Sequence, residues 1–314
     1  MARAFVFPGQ GAQTIGMGKE LAEAYPEAKA VFDEVDEALG EKLSALIWEG
    51  EQETLTLTQN AQPALMATSI AAMRALQAEG VGVDAAAYVA GHSLGEYSAL
   101  CAAGALSLSD TAKLLRTRGQ AMQEAVPVGV GAMAALLGLD FKTVSDLAHR
   151  AAHDTGKVCQ AANDNDPAQV VISGHAEAVQ HAVELAREAG AKRAVMLPVS
   201  APFHCELMEP AARVMAEALS HVSINDPKVP LVANVVAHDV TDPASIRSLL
   251  VEQVTGSVRW RESVSWMADH GVTEFWEIGA GKALSGMIRR IAKEAGSRQV
   301  GTPDEVKAAA DATK

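Results

Sequence analysis

Short apolar runs alternate with amphipathic stretches along the chain, and this pattern predicts strands that alternate with helices. The first apolar run, residues 3–7, ends at the loop Pro8-Gly9-Gln10-Gly11, which predicts a strand that enters a turn. A second run, residues 87–90, precedes a helical stretch at residues 96–103. Further helices are predicted over residues 18–24, 27–39 and 109–125, and another opens with Pro63 in its first turn and stops at Gly80.

The pattern changes after Pro127-Val128-Gly129. The predicted elements here are strands 132–137, 158–161, 169–173 and 193–198, helices 142–155 and 177–189, and an Asn/Asp turn at 163–167. Their β-α-β-β-α-β order is that of a ferredoxin-like fold. We therefore expect residues 129–199 to form a small subdomain, inserted between residues 1–128 and 200–314 of a larger α/β subdomain.

Alternating helices and strands resume after the insert. The pattern predicts helices 206–220, 245–255, 258–270 and 282–294, strands 229–236 and 274–278, and a frayed tail at 304–314. Because strands and helices alternate outside the insert, we expect a mostly parallel sheet with helices on both faces.

One turn in this pattern carries chemistry. Gly91, Ser93 and Gly95 form a G-x-S-x-G motif between an apolar run and a helical run, which is the setting of a nucleophile elbow. Such a turn exposes the serine hydroxyl at a helix N-terminus, where unpaired N–H groups can stabilise an oxyanion. The plain alternative is a strand–helix turn with a solvated serine.

Composition narrows the class of protein. The 314 residues carry a net charge of −13, which argues against a non-specific nucleic-acid binder. Cys101, Cys159 and Cys205 cannot all pair and lack metal-ligand spacing, so we expect reduced cysteines and a cytoplasmic protein. The uncharged stretch at 55–73 contains polar residues and a proline, so we expect an amphipathic helix there and no membrane span.

A nucleophilic serine needs a base, and His204 is the candidate, because it lies in a loop between a predicted strand and a helix. The plain alternative is a packed or solvated loop histidine. His92 adjoins Ser93, but neighbours on a sharp turn point apart. No acid stands out as the partner of the base, and a backbone carbonyl at a helix end, such as that of Gln253, can replace it. The Gln253 side chain itself is expected to face solvent.

Several separated motifs resemble one family, the malonyl-CoA:acyl carrier protein transacylases of fatty acid synthesis. The resemblance covers almost the whole chain, up to about Arg290, and one departure is Ala280, where members often have proline. Its motifs are Phe7-Pro8-Gly9-Gln10-Gly11, Gly91-His92-Ser93-Leu94-Gly95-Glu96, Arg118-Gly119 with Met122, Ser200-Ala201-Pro202-Phe203-His204, Val251-Glu252-Gln253 and Glu277-Ile278-Gly279-Ala280-Gly281-Lys282-Ala283-Leu284.

The resemblance implies a hydrolase-like large subdomain with a ferredoxin-like insert, and it implies catalytic roles. Ser93 would carry the acyl group, and His204 would be its base. The backbone carbonyl of Gln253 would hold the imidazole in place of a carboxylate. The N–H groups of Gln10 and Leu94 would form the oxyanion hole.

The resemblance also implies how the substrate is selected. Arg118 would bind the free carboxylate of the malonyl group through two charge-assisted hydrogen bonds. Without the resemblance, Arg118 is an ordinary helix-end arginine. Phe203 matches the pattern of malonyl-selective members, and Met122 belongs to the arginine motif as a further substrate-binding position.

The expected activity is ping-pong transfer of malonyl from malonyl-CoA to acyl carrier protein, by a monomer and with no metal or redox cofactor. Because carrier proteins are usually acidic, we expect a basic docking patch near the active-site mouth. The patch residues would be Lys192, Arg193, Lys282, Arg289 and Arg290. The alternatives are an acyltransferase of a polyketide pathway, a serine thioesterase or hydrolase on the same scaffold, and a non-catalytic binding module.

Overall fold

The computed structural model describes residues 2–199 and 201–313. The strands in this part of the chain are β1 (Ala2–Phe7), β2 (Tyr88–Gly91), β3 (Gly131–Leu137), β4 (Cys159–Asp166), β5 (Gln169–His175), β6 (Arg193–Met196), β7 (Leu231–Val232), β8 (Asp239–Val240), β9 (Val272–Ile278) and β10 (Gly296–Val300).

The α-helices of the same residues surround these strands. They are α1 (Lys19–Ala24), α2 (Pro26–Leu39), α3 (Leu43–Glu49), α4 (Gln52–Thr56), α5 (Thr58–Ala78), α6 (Gly95–Ala102), α7 (Leu108–Glu124), α8 (Phe141–Thr155), α9 (Ala176–Glu188), α10 (Glu209–Ser220), α11 (Pro243–Thr255), α12 (Trp260–Asp269), α13 (Ala283–Ile291) and α14 (Pro303–Asp311). None of the described helices combines the length and the apolar composition that crossing a bilayer requires.

The larger sheet has the strand order β10-β9-β1-β2-β7-β8. Its strands pair in parallel, except that β8 pairs antiparallel with β7. Phe5 and Phe7 of β1 lie in one apolar cluster, whereas Ala4 and Val6 lie in another on the opposite face. Both faces of the sheet are therefore buried, as the alternation of helices and strands predicts for a parallel sheet.

The smaller sheet has the order β4-β5-β3-β6, and all of its pairs are antiparallel. Helices α8 and α9 cover one face over Leu136 and Ile172. The other face presents Met133, Ala135 and Val171 to a cleft between the two sheets. This arrangement confirms the predicted fold class, a parallel-sheet α/β unit with a ferredoxin-like insert.

A seam joins β4 of the smaller sheet to Val258 and to helices α12 and α13, which pack beside the larger sheet. Asp164 N donates to Val258 O at 2.9 Å, and Val258 N donates to Ala162 O at 2.8 Å. The buried carboxylates of Asp164 and Asp166 pair with Arg261 and Arg290 at 2.8 Å and 2.7 Å. The predicted turn at 163–167 is therefore misplaced: residues 163–166 extend β4, and the turn lies at 167–168 before β5.

Helix α5 begins earlier than predicted, and Pro63 lies inside it rather than in its first turn. A proline lacks the N–H that would bond to the carbonyl four residues earlier. That carbonyl, Gln59 O, instead accepts a hydrogen bond of 2.6 Å from Arg116 Nη1 of α7. A side chain from the neighbouring helix therefore compensates for the bond that Pro63 cannot make.

Residues 303–311 form helix α14, so the predicted frayed tail at 304–314 is wrong for this helix, and Lys314 lies outside the described residues. Strand β10 extends the larger sheet, and α14 buries Val306, Ala309 and Ala310 against the core. A capping box between Thr302 and Glu305 starts α14. The predicted strand at 229–236 shortens to Leu231–Val232, because the chain turns after this pair towards the elbow.

Candidate active site

Ser93 lies on a sharp turn between β2 and α6. Its φ is 54°, in the left-handed region that side chains other than glycine rarely adopt. The flanking glycines are required by close approach: a Cβ at Gly91 would lie 1.9 Å from Gly95 C, and one at Gly95 would lie 2.2 Å from Phe7 O. The turn has the strand–turn–helix geometry that the G-x-S-x-G motif predicts.

Asn234, in the loop after β7, stabilises this turn through two hydrogen bonds. Its Oδ1 accepts from Ser93 N at 2.9 Å, and its Nδ2 donates to Gly91 O at 2.7 Å. Asn234 is buried. Sequence reasoning did not find this residue, because no motif separates it from an ordinary loop asparagine.

The imidazole of His204 contacts the hydroxyl of Ser93. Its Nε2 lies 2.8 Å from Ser93 Oγ, and its Nδ1 lies 2.9 Å from the backbone carbonyl of Gln253. Because a carbonyl can only accept, Nδ1 carries the proton and Nε2 is free to accept one from the serine. Like Ser93, His204 has a left-handed backbone, with φ 55°.

The surroundings of His204 keep its imidazole neutral. Burial and the nearby cation of Arg118 lower its pKa from 6.5 to about 3, although the hydrogen bond to Gln253 acts in the opposite direction. A neutral imidazole is the form that can take a proton from serine. The carbonyl of Gln253 is available because it lies in the last turn of α11, where carbonyls lack partners within the helix.

The side chain of Gln253 is buried rather than solvent-facing as expected. Its Nε2 donates to Ser93 O at 3.0 Å and to Glu96 Oε2 at 2.6 Å. The last turn of α11 packs directly over the elbow, which removes this side chain from solvent. Glu96 is buried too, and burial raises its pKa to about 7 against the opposing effects of its hydrogen bonds.

Arg118 projects from α7 into the same site and is buried. Its Nη2 donates to Ser93 Oγ at 3.1 Å and to Gln253 Oε1 at 2.7 Å, and its Nη1 donates to Gln62 Oε1 at 2.8 Å. Its Cζ lies 5.6 Å from the ring centroid of Tyr97. Burial lowers the pKa of Arg118, and its hydrogen-bond partners are all neutral.

Two residues beside Ser93 have backbone N–H groups without a hydrogen-bond acceptor in the described part of the chain. Gln10, in the loop after β1, and Leu94, at the start of α6, both line the cleft. Within residues 2–199 and 201–313, neither of these N–H groups donates a hydrogen bond to another residue. They are therefore free to bind an oxygen atom of a ligand.

The cleft between the two sheets has a volume of about 460 Å³. Met122 and Phe203 line it together with Met133 and Val171, so its wall is largely apolar around Ser93 and Arg118. Gln62 Nε2 lies 3.6 Å from the sulfur of Met122. The first residue of the predicted motif at 200–204, Ser200, lies outside the described residues.

His92 does not take part in this arrangement. Its Nε2 lies 2.8 Å from Asn165 Oδ1 of β4, and burial lowers its pKa. His175 accepts a hydrogen bond from Val158 N through Nδ1 at 3.1 Å. Both residues therefore have structural partners in or next to the smaller sheet.

Known proteins are similar to this chain in fold and in sequence. A family model described as the acyl transferase domain matches residues 4–308. A malonyl CoA-acyl carrier protein transacylase of Bacillus subtilis (strain 168) is 50% identical over 311 residues, which cover 99% of this chain and 97% of that protein.

Solved structures agree. An acyl-carrier-protein-S-malonyltransferase from Bartonella henselae superposes with a TM-score of 0.97 at 56% identity, over 99% of both chains. A malonyl-transacylase solved in complex with a type II PKS acyl-carrier protein superposes with a TM-score of 0.96 at 40% identity, over 99% of this chain and 100% of that one. The chain therefore belongs to the acyl transferase family, among its malonyl CoA-acyl carrier protein transacylases.

Proposed function

We propose that Ser93 carries a malonyl group from malonyl-CoA to the phosphopantetheine thiol of an acyl carrier protein. The observation that carries this proposal is the buried guanidinium of Arg118, which donates to Ser93 Oγ yet contacts no carboxylate. A buried cation without a directly bound anion is costly. A carboxylated acyl group on Ser93 would supply the missing anion.

In the first half-reaction, His204 Nε2 takes the proton of Ser93 as Oγ attacks the thioester carbonyl. The resulting oxyanion accepts hydrogen bonds from the N–H groups of Gln10 and Leu94. The tetrahedral intermediate collapses, the carbon–sulfur bond breaks, and His204 gives its proton to the leaving sulfur, so that CoA departs as the thiol and the imidazole is neutral again. The product is malonyl-Ser93.

In the second half-reaction, the carrier thiol gives its proton to His204 and attacks the malonyl ester. The bond to Ser93 Oγ breaks, and His204 returns the proton to the serine. The Gln253 carbonyl supports both halves, because it keeps the imidazole oriented while the proton moves. The apolar wall that includes Met122 and Phe203 shields the ester from bulk water.

A carboxylate-selective site favours a transferase over a serine thioesterase. Thioesterases and hydrolases of this fold orient the histidine with a carboxylate, whereas His204 Nδ1 faces a backbone carbonyl. The intact Ser93–His204 pair argues against a non-catalytic binding module. Fatty acid and polyketide carriers present the same phosphopantetheine thiol, so relative rates with the two kinds of carrier protein separate those pathways.

Ser93, His204, Gln253 and Arg118 all come from one chain, and this supports a monomer as the working unit. The free thiols of Cys101, Cys159 and Cys205 support the proposed cytoplasmic location, since that compartment keeps cysteines reduced.

Trapping the acyl-enzyme tests the proposal. Incubation with a mixture of acyl-CoAs, followed by intact mass measurement, should show a single malonyl adduct that is absent in Ser93→Ala. Addition of carrier protein bearing phosphopantetheine should discharge the adduct onto the carrier thiol. Release of free malonate without acceptor at the same rate would instead identify a hydrolase.

A further inference from the structure

Gln253 contacts four functional groups of the site, three of them through its side-chain amide. Its Nε2 donates to Glu96 Oε2 at 2.6 Å and to Ser93 O at 3.0 Å, while its Oε1 accepts from Arg118 Nη2 at 2.7 Å. The oxygen of its own backbone accepts from His204 Nδ1 at 2.9 Å. One residue therefore contacts both the base and the buried cation, through different atoms.

Glu96 and the backbone carbonyl of Ser93 together determine which way this amide points. The carbonyl oxygen of Ser93 can only accept a hydrogen bond, so the atom that faces it and Glu96 Oε2 is the amide nitrogen of Gln253. The amide oxygen is then directed at Arg118. Asn234 N also donates to Glu96 Oε2, at 3.4 Å, so the carboxylate is held from a second side.

Neutral amide oxygens bind both terminal nitrogens of the Arg118 guanidinium. Gln253 Oε1 accepts a hydrogen bond from Nη2, and Gln62 Oε1 accepts one from Nη1 at 2.8 Å. An amide oxygen fixes the direction of an N–H group without neutralising its charge. A carboxylate at either position would bind the cation as a salt bridge and compete with an incoming substrate carboxylate.

We propose that the side chain of Gln253, oriented by Glu96 and by the backbone carbonyl of Ser93, is a positioning residue for acyl-group selection, because it aims Arg118 at the free carboxylate of the acyl group. This role is separate from that of the Gln253 backbone carbonyl, which serves His204. The proposal rests on the proposed function, since it assigns the part of that site that separates malonyl from acetyl.

The test compares acylation of Ser93 by malonyl-CoA and by acetyl-CoA in single-turnover experiments. Gln253→Met preserves side-chain length and the backbone carbonyl but removes the amide. The ratio of malonyl to acetyl kcat/KM should fall by about tenfold or more, mainly through a higher KM for malonyl-CoA, because a charge-assisted hydrogen bond is lost. Glu96→Gln should change the ratio in the same direction but by less, since it removes one of the two acceptors that orient Gln253 and leaves the carbonyl of Ser93.

Two further variants complete the design. Gln62→Met removes the other oxygen that holds Arg118 and should also lower the ratio. Asp36→Asn is the matched control for Glu96→Gln, because Asp36 is a buried carboxylate that accepts from Ser44 N and Ser44 Oγ in a different part of the fold. It should leave the ratio unchanged even where it lowers the melting temperature.

Equal losses of malonyl and acetyl transfer in Gln253→Met would overturn the inference, because the amide would then serve only the elbow. If Gln253→Met does not fold, an unchanged ratio in both Gln62→Met and Glu96→Gln would overturn it as well. Wild-type protein that forms no malonyl-Ser93 would instead contradict the proposed function itself.

Discussion

Arg118 Nη2 lies 3.1 Å from Ser93 Oγ, so the cation that would bind the acyl carboxylate also contacts the nucleophile. The short distance limits the acyl groups that fit. A small carboxylated group on Ser93 would bring its negative charge directly onto the guanidinium, whereas an acetyl group would leave the cation buried without an anion.

Arg118→Ala should therefore reduce malonyl transfer far more than acetyl transfer. Loss of a buried charge-assisted contact predicts a fall of about 10²-fold in malonyl kcat/KM. Stopped-flow or quenched-flow acylation with the two acyl-CoAs measures both values. An equal decrease for the two substrates would show that Arg118 does not recognise the carboxylate.

His204 should remain neutral across the ordinary working range of pH, because burial and Arg118 lower its pKa to about 3. Nitrogen NMR of the ring should show a protonated Nδ1 and an unprotonated Nε2 from about pH 8 to about pH 5. Loss of the signals in His204→Gln assigns them. A transition to the doubly protonated ring in that range would contradict the expected environment.

Glu96 should make wild-type stability depend on pH. Its pKa is about 7 in the folded protein, above the ordinary 4.5, so the folded state binds this proton more tightly than the unfolded state. This group's contribution to the free energy of unfolding is fully present below about pH 4.5 and is lost as the pH rises through about 7.

The Glu96→Gln variant lacks this titration. The difference in unfolding free energy, variant minus wild type, should rise between about pH 4.5 and about pH 7 and then level off. Urea denaturation at several pH values measures the difference. A difference that stays constant over this interval would mean that the Glu96 pKa is not raised by folding.

The proposed docking patch for an acidic carrier includes Lys282 and Arg289. Helix α13 borders the cleft through Ala283 and Leu284, and Lys282 directly precedes these two residues, whereas Arg289 Nε donates to Ser297 Oγ of β10. Lys282→Glu and Arg289→Glu should raise the KM for carrier protein several-fold at low ionic strength, with little effect on acylation by malonyl-CoA.

Lys142→Glu is the control charge reversal. Lys142 is exposed on α8, and this helix covers the face of the smaller sheet that lies opposite the cleft. An unchanged carrier KM in the α13 variants would place the docking surface elsewhere. Arg290 is less suitable for this test, because it pairs with the buried carboxylate of Asp166 at the seam between the sheets.

The sequence predicts the site best where a reactive residue lies at the end of a strand or at the start of a helix. The G-x-S-x-G motif predicts the elbow because glycines at 91 and 95 are needed for backbone contact, and His204 stands out by its loop position. The β-α-β-β-α-β order likewise follows from periodicity alone.

The parts that sequence reasoning missed depend on contacts between distant segments. Asn234 and Gln62 are buried polar residues whose partners lie far away along the chain, so local pattern gives no sign of them. Glu96 belongs to a quoted motif, but its contact with Gln253 cannot be predicted from that motif. Helix α14 is a different case, because the spacing of Thr302 and Glu305 is a capping-box signal that is present in the sequence itself.

The oxygen that orients His204 belongs to the main chain, and this has an evolutionary consequence. Every amino acid at position 253 supplies that oxygen, so mutation can alter the side chain there without deleting the support of the base. Substitutions at residue 253 can thus change which acyl donors are accepted while proton transfer at Ser93 persists. If an aspartate side chain oriented His204 instead, any substitution of that aspartate would remove the support of the base and with it the turnover.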